Sequence, residues 1–296
     1  MANVKHSWEF AEGDEIAPGR SVLRLLGGGH DYEVYLVWDD GLFSIVVAKL
    51  LRPDRVRDDK ARRALQQEAE ALDKLAHPVL LRGFDAVLAG PHPHLLVEHL
   101  EGPTLRRLIR RSGPLPAQQL LPLALHVASA VHYLARREMV HLDIKPENIV
   151  MGIPPRLIDF SLVRPVERAR RISGWIGTKA YMPPEQCAPR EVGEIGPWSD
   201  VWGLGATLYH AFAGHTPFER GSSDDDARLA QRFPQLEQPV RPWPVTVSPE
   251  LSGAVLACLA KDTGDRPTAA ELAMALQPLV AALPGRLHLG RGRLLR

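Results

Sequence analysis

The sequence VHLDIKPENIV at 140–150, followed by RLIDFS at 156–161, decides how the rest of the chain is interpreted. It sets two acidic residues and an asparagine beside short apolar segments: Asp143 and Asn148 in the first stretch, Asp159 in the second. Hard divalent cations such as Mg²⁺ prefer oxygen ligands, which the Asn148 amide and the Asp159 carboxylate would supply. Asp143 would then remain available to orient a hydroxyl group. The pattern therefore predicts a metal site beside a carboxylate base.

Two features nearer the N-terminus fit a site of this kind. Gly27, Gly28 and Gly29 lie between strands predicted at 22–26 and 34–38, where glycines let the backbone approach a phosphate. A glycine-rich hairpin turn explains the cluster equally well when it is taken alone. Lys49 lies inside an apolar strand predicted at 42–51, where burial is costly without an anionic partner. Glu68, in a helix predicted at 58–76, could be that partner; the alternative is a surface lysine with a buried stem.

The character of the chain changes after a short strand predicted at 95–99. Beyond it, apolar segments with helical character occur at 104–135, 199–214, 249–260 and 268–282. We therefore predict an α+β protein with a small strand-rich lobe at 20–101 and a larger helical lobe at 102–283. Residues 1–19 are predicted to form an N-terminal extension, and 284–296 a basic tail that is solvated rather than a site for an acidic partner.

Composition excludes several classes of protein. The chain has 36 Lys and Arg against 35 Asp and Glu, so its formal charge of +1 predicts no nucleic-acid partner. Its two cysteines, Cys187 and Cys258, exclude a disulfide scaffold and a four-cysteine zinc site, and we expect both to be buried packing residues. His92 and His94 are interpreted as solvated loop residues rather than metal ligands. Without a signal peptide or an apolar span, a cytoplasmic protein is expected.

Taken in order, the motifs resemble those of the eukaryotic-like (Hanks-type) serine/threonine protein kinases of bacteria, over roughly residues 20–282. The resemblance rests on the glycine cluster, the strand lysine, the helix glutamate, HLDIKPEN, DFS, GTKAYMPPEQ at 177–186, SDVWGLGATLYHAFAGHTPF at 199–218 and DRP at 265–267. It implies a two-lobed kinase fold that transfers the γ-phosphoryl group of ATP to Ser or Thr hydroxyls of protein substrates. Mg²⁺, or Mn²⁺, would be the metal.

The resemblance also implies a role for each matching residue. Asp143 would accept the proton of the substrate hydroxyl, Lys145 would steady the phosphoryl group, and Thr178 would tie the substrate loop to both. Asn148 and Asp159 would bind the metal, while Glu185, Arg266 and Asp200 would be structural. Lys49, paired with Glu68, would hold the ATP phosphates. The implied nucleotide site consists of Leu26, Gly27, Gly28, Gly29, Val34, Val47, Lys49, Val97, Glu98 and Leu100.

Three positions depart from the family pattern. Tyr32 replaces the third glycine of the loop, and Ser161 replaces the glycine of the metal motif. Leu142 replaces the Arg before the catalytic Asp, which in relatives pairs with a phosphorylated activation loop; we therefore expect activity independent of that phosphate. The alternatives are a nucleotide-binding pseudokinase that acts as a scaffold, and a small-molecule kinase, which would usually lack the GTKAYMPPEQ loop. Any regulation could come through a partner protein.

Overall fold

The computed structural model describes residues 6–189, 191–243 and 247–283, so the predicted basic tail lies outside the described residues. The chain divides into two compact units. The first contains residues up to 76 together with 80–101 and 159–163. The second contains residues 77–79, 102–158 and the chain from 164 onward. Residues 77–79 thus belong to the second unit although the chain on both sides of them is in the first, and the reverse holds for 159–163.

The first unit is built on a six-stranded antiparallel sheet with the order β1-β2-β3-β4-β6-β5. Its strands are β1 Glu15–Ala17, β2 Arg20–Gly28, β3 Tyr32–Asp39, β4 Ser44–Leu51, β5 Gly83–Val87 and β6 His94–Glu98. Helix α1, Asp59–Lys74, follows β4 and begins where the Asp58 carboxylate accepts hydrogen bonds from the amides of Lys60 and Ala61. The helix predicted at 58–76 is confirmed.

The two faces of this sheet have different tasks. One face carries a buried core that includes Tyr35, Val37 and Ala48, and the rings of Trp8 and Phe10 pack against it. The predicted N-terminal extension therefore contributes to the core of the first unit. Because directly paired residues lie on the same face, the register Val34 to Lys49 and Val47 to Val97 assembles a second, contiguous face. The latter is the face that the nucleotide predictions require.

The second unit is helical. Its helices are α2 Leu105–Ser112, α3 Ala117–Arg136, α4 Val166–Arg170, α5 Pro184–Cys187, α6 Pro197–Ala213, α7 Leu229–Arg232, α8 Pro249–Ala257 and α9 Ala269–Ala281. The short strands β7 Met139–Val140 and β10 Arg164–Pro165 pair with each other, as do β8 Ile149–Val150 and β9 Arg156–Leu157. Helix α3 packs against α6 and α9, and α6 is almost entirely buried. A strand-rich first unit and a helical second unit confirm the predicted α+β class.

The helical segment predicted at 104–135 is confirmed and consists of two helices, α2 and α3, separated where Gly113 takes a φ of +72° and proline residues follow it. Two local predictions were wrong. The strand predicted from residue 42 begins at Ser44, since Phe43 takes a left-handed φ of +49° in the preceding turn. His94 is not in a solvated loop: it begins β6, is fully buried and forms a hydrogen bond with Arg20.

Other predictions about burial hold. Cys187 and Cys258 are both buried, unpaired thiols, as predicted, and burial raises the pKa of each; that of Cys258 is raised to about 12. Helix α3, within the apolar helical segment predicted at 104–135, buries nine of its residues. Within the part of the chain that the structure describes, none of the helices has both the length and the apolar character needed to cross a membrane.

Candidate functional site

In the first unit the chemistry is centred on Lys49. Its ammonium donates to both carboxylate oxygens of Glu68, at 2.9 and 2.8 Å, and to Asp159 Oδ1 at 3.2 Å. Burial alone would disfavour the charge, but the two carboxylates outweigh it and raise the pKa of Lys49 above its ordinary value. The lysine is therefore a fixed positive charge on the sheet face opposite the Trp8 core. The predicted pairing of Lys49 with Glu68 is present.

The backbone around Asp159 is shaped for this contact. Asp159 takes a left-handed φ of +68°, and the amide of the buried Phe160 donates to Glu68 Oε1 at 3.2 Å. Glu68 thus receives hydrogen bonds from Lys49 and from the segment that carries Asp159. Ser161, where the family has glycine, does not take a left-handed φ, so its side chain imposes no backbone strain.

Tyr32 covers the same lysine. Its ring centroid lies 4.6 Å from the Lys49 ammonium, a distance typical of a cation–π contact. The Tyr32 hydroxyl is buried and has no hydrogen-bond partner among the residues that the structure describes. Burial raises the pKa of this hydroxyl well above its ordinary value. The side chain that stands in place of the third glycine therefore projects directly over the phosphate-binding lysine that the sequence predicts.

The residues predicted to surround the nucleotide share one side of the first unit. Val34, Val47 and Val97 lie on the sheet face of Lys49, and Gly27 pairs with Val34 at the end of β2. Leu26, Gly28 and Gly29 are exposed beside them. The amide of Glu98 is already donated to the Arg82 carbonyl, at 3.0 Å. Of Glu98 and Leu100, both assigned to the nucleotide site from the resemblance, Glu98 therefore has its amide engaged within the first unit.

In the second unit a closed hydrogen-bond network surrounds Asp143. Thr178 Oγ1 donates to Asp143 Oδ1 at 2.7 Å, and Lys145 Nζ donates to Asp143 Oδ2 at 2.6 Å and to Thr178 Oγ1 at 2.7 Å. Asn148 Nδ2 donates to the Asp143 carbonyl and to Oδ2, at 2.9 and 3.1 Å. All four residues were singled out from the sequence, and the structure brings them together.

Asn148 and Asp159 fit the predicted role in metal binding by their donor chemistry. The two hydrogen bonds of Asn148 use its amide nitrogen, which orients the carboxamide and directs its oxygen elsewhere. Asp159 is partly exposed and offers carboxylate oxygens. An amide oxygen and a carboxylate are oxygen donors of the kind that Mg²⁺ accepts beside phosphate and water.

Asp200 shapes the loop that carries Asp143. Its carboxylate accepts hydrogen bonds from the amides of His141 and Leu142, each at 2.7 Å. Full burial raises the pKa of Asp200 to about 7, although the two amides act in the opposite direction. Leu142 is buried and takes a φ of +66°, so the backbone next to Asp143 is held in a left-handed conformation. Asp200 thus has the structural position that the sequence suggested.

The buried ion pair between Glu185 and Arg266 is likewise present. Two guanidinium nitrogens of Arg266 donate to the two Glu185 oxygens, at 2.7 and 2.9 Å, and both side chains are fully buried. The remaining donors of Arg266 bind the carbonyls of Ala260, Trp198 and Lys261. Every contact lies inside the second unit.

Two glutamines that sequence reasoning missed hold the loop of the GTKAYMPPEQ motif, at 177–186, which the resemblance assigns to substrate binding (the substrate loop). Gln186 Nε2 donates to the carbonyls of Leu142 and Ile176, at 2.9 and 2.7 Å. Gln235 Nε2 donates to the carbonyls of Lys179 and Met182, at 2.8 and 3.0 Å. Gln186 ends the GTKAYMPPEQ motif, so its place there was a signal; Gln235 carried none.

The family model described as "Protein kinase domain" matches residues 20–276. The chain belongs to the protein kinase family. This confirms the resemblance and the kinase fold class inferred from the sequence, with the glycine cluster, Lys49, Glu68 and Asp143 all inside the matched region.

Among similar proteins, the serine/threonine-protein kinase PknB of Mycobacterium leprae is 31% identical over 260 residues, 84% of this chain and 41% of that protein. The probable serine/threonine-protein kinase PkwA of Thermomonospora curvata is 33% identical over 261 residues, 87% of this chain and 33% of that protein. The serine/threonine-protein kinase PrkC of Bacillus subtilis is 28% identical over 264 residues, 88% and 40% respectively. The chain thus spans well under half the length of these relatives.

Proposed function

We propose that this kinase is a serine/threonine protein kinase that transfers the γ-phosphoryl group of ATP to Ser or Thr hydroxyls of protein substrates. The observation that carries the proposal is the closed network of Asp143, Lys145 and Thr178. The network joins a carboxylate that can accept a proton, a cation that can offset phosphate charge, and a residue of the substrate loop. Phosphoryl transfer to a hydroxyl uses groups of these kinds. The relatives named as serine/threonine kinases support the same activity.

Each residue has a defined task in this proposal. Asp143 accepts the proton of the substrate hydroxyl while the hydroxyl oxygen forms a bond to the γ-phosphorus of ATP. The bond from the γ-phosphorus to ADP breaks at the same time, and ADP leaves. Lys145 offsets charge on the transferring group, and Lys49, oriented by Glu68, binds the ATP phosphates. Asn148 and Asp159 would hold Mg²⁺ or Mn²⁺, which neutralises phosphate charge when bound.

We also propose that activity does not depend on phosphorylation of the activation loop. Leu142 offers no guanidinium to bind such a phosphate, and Gln186 already donates two hydrogen bonds that connect the Leu142 carbonyl to Ile176 in the loop. Neutral donors can therefore hold the loop without a phosphate. Regulation through a partner protein would be compatible with such a loop.

One observation favours a second candidate, a nucleotide-binding scaffold without turnover. The Tyr32 ring covers the Lys49 ammonium, which is the group assigned to the phosphates. A small-molecule kinase is less well supported, because the GTKAYMPPEQ loop contacts Asp143 through Thr178 and ends at the Glu185–Arg266 pair.

The experiment compares wild type with Asp143→Asn in labelling assays with radioactive ATP, Mg²⁺ and a generic protein substrate. We expect label on Ser and Thr in the wild type, a loss of about 10²–10⁴-fold in the variant, and unchanged nucleotide binding. Asp73→Asn, which alters an exposed carboxylate on α1, is the matched control. Full activity in Asp143→Asn would refute the base, and nucleotide binding without label in the wild type would favour the scaffold.

A further inference from the structure

Arg52, directly after β4, holds the glycine turn at both ends. Its side-chain Nε donates to the Gly29 carbonyl at 2.9 Å, and its backbone amide donates to the Asp31 carbonyl at 2.9 Å. Its Nη1 donates to Glu33 Oε1 at 2.8 Å and to the His6 carbonyl at 3.2 Å. One residue therefore connects the turn, strand β3 and the N-terminal segment.

Glu33 completes this network from the other side. Its second carboxylate oxygen accepts hydrogen bonds from the Tyr35 hydroxyl at 2.8 Å and from the Trp8 amide at 3.2 Å. The indole of Trp8 in turn donates to the Leu51 carbonyl at 2.8 Å. The side chains of Arg52 and Glu33 are 10% and 2% exposed, so solvent screens the pair little. Removing either partner would leave a buried charge without its counterpart.

The turn is tightly packed at Gly28, although a Cβ at Gly27 or Gly29 would meet nothing within 4 Å. The Gly29 amide donates to the Tyr32 carbonyl at 2.9 Å, and a Cβ at Gly28 would lie 2.6 Å from the same carbonyl oxygen and 3.1 Å from Arg52 Nη2. A glycine backbone is otherwise the most mobile kind, so a rigid external contact decides its position. The planar guanidinium, with donors in a fixed fork, is well suited to that task.

We propose that Arg52 is a positioning residue that sets the glycine turn at 27–32 for the ATP phosphates, supported from behind by Glu33 and the segment of His6 and Trp8. It acts through the backbone of the turn and contacts no reacting atom. The inference rests on the proposed function, since it assigns the turn to ATP. If Arg52 sets the turn, the contacts of His6 and Trp8 with Arg52 and Glu33 also influence the affinity for ATP.

A second buried pair in the same sheet provides the control. Arg20 Nε donates to Asp39 Oδ2 at 2.9 Å, and the two side chains are 14% and 6% exposed. Arg20 and Asp39 face each other at the opposite end of the β2–β3 pairing from the glycine turn. The other partners of Arg20 are Asp85 and His94, so a change here tests loss of a buried pair without touching the turn.

The experiment compares Arg52→Lys with Arg20→Lys in the full chain. Lysine keeps the charge but cannot reach the Gly29 carbonyl, Glu33 and the His6 carbonyl together. We expect Arg52→Lys to raise KM for ATP about tenfold, the equivalent of one charge-assisted hydrogen bond, while kcat changes less than about twofold. Hydrogen exchange at the amides of 27–32 should accelerate in Arg52→Lys and stay at the wild-type rate in Arg20→Lys.

Equal effects of the two variants on KM and on exchange of the turn would overturn the proposal. If Arg52→Lys does not fold, Glu33→Gln replaces it, because the amide keeps the shape of the carboxylate while removing its charge; wild-type exchange and KM there would also overturn it. Failure of the proposed function looks different. Wild type would then show no ATP turnover, while the exchange measurement on the turn would still decide the role of Arg52.

Discussion

Two buried cation–carboxylate pairs, Lys49–Glu68 in the first unit and Arg266–Glu185 in the second, look alike as contacts but differ in surroundings. Arg266 and Glu185 are fully buried, and the other donors of Arg266 are used by backbone carbonyls. Lys49 remains 18% exposed on a sheet face and shares its charge with Asp159 and the Tyr32 ring. The Arg266–Glu185 pair is therefore closed, whereas Lys49 can exchange a partner for a ligand.

The difference in burial distinguishes an ion pair that contributes to stability from one that is suited to bind a ligand. A closed pair contributes through the cost of breaking it, since a lone charge would be left in the interior. In an open pair the cation keeps contact with space that a substrate can enter, and the carboxylate holds it in position.

The largest effect is expected from breaking the closed pair. Arg266→Leu should lower the free energy of unfolding by about 3–5 kcal/mol, because Glu185 stays charged and buried and keeps the Ser199 hydroxyl, at 2.8 Å, but loses its cation. Urea denaturation of the variant measures the loss. The double variant Glu185→Leu with Arg266→Leu should recover part of it. A loss below about 1 kcal/mol in the single variant would show that Glu185 finds another partner.

In the open pair, stability and activity should separate. Lys49→Arg keeps a positive charge for Glu68 and Asp159 but replaces a compact ammonium with a planar fork. We expect kcat/KM for ATP to fall about 10²-fold, with a smaller loss of stability than in Arg266→Leu. Steady-state kinetics beside urea denaturation give both quantities. Unchanged kinetics in Lys49→Arg would remove Lys49 from the phosphate site.

A third network is closed but uncharged, and its effect should be smaller. Gln186→Leu removes the two hydrogen bonds that its amide donates to the carbonyls of Leu142 and Ile176, so kcat for a protein substrate should fall about tenfold. Gln66→Leu, on the exposed side of α1, is the control.

Phosphatase treatment of the wild type should change its activity little, since Leu142 cannot hold a phosphate. A large loss after dephosphorylation would refute the role given to Gln186.

The smallest effect concerns pH and another closed contact of the second unit. Burial, with help from nearby Arg106 and His215, lowers the pKa of His210 to about 4. Arg106 Nη1 lies 3.3 Å from His210 Nε2, and the Tyr181 hydroxyl lies 2.6 Å from Nδ1. A second proton on the His210 ring is therefore unfavourable. Between about pH 6.5 and 4 the unfolded chain binds a proton that the folded one does not, and stability falls as pH falls.

We expect this contribution to be about 1 kcal/mol between pH 7 and 5. His210→Gln should therefore show a flatter dependence of the melting temperature between pH 7 and 5 than the wild type. Asp200, with its pKa raised to about 7, makes a contribution to stability that increases as pH falls, opposite to that of His210. This contribution is the same in both proteins and cancels in the comparison. Parallel profiles for the two proteins would show that His210 does not titrate differently on folding.

Much of the candidate site could be predicted because its residues lie in short motifs with fixed local chemistry. Asp143, Lys145 and Asn148 fall within six residues of one another, and the surrounding apolar segments indicate that the loop is anchored. Lys49 and Glu68 could be paired because a lysine inside an apolar strand needs an anion, and a good helix follows. The roles assigned to all these residues in catalysis remain predictions that the proposed variants test.

Other contacts could not be predicted, because they join distant segments without a repeating pattern. Arg52 is 46 residues from His6, and Gln186 is 44 residues from Leu142. Nothing in the order of residues indicates that Trp8 and Phe10 pack on the sheet, or that Glu33 faces Arg52. Within the helical segment predicted at 104–135, the division into α2 and α3 was not predicted, although Gly113 and the prolines that follow it are a turn signal.

The sequence by itself determined the family, the α+β class and the list of chemical groups, because motif spacing and hydrophobic pattern are local properties of the chain. The tertiary structure decided which of those groups share a network and which backbone they hold. The Tyr32 ring over Lys49, the grip of Arg52 on the glycine turn and the grip of Gln186 on the substrate loop all depend on packing. Such contacts form only when folding has brought distant segments within hydrogen-bonding distance, and no local pattern encodes that distance.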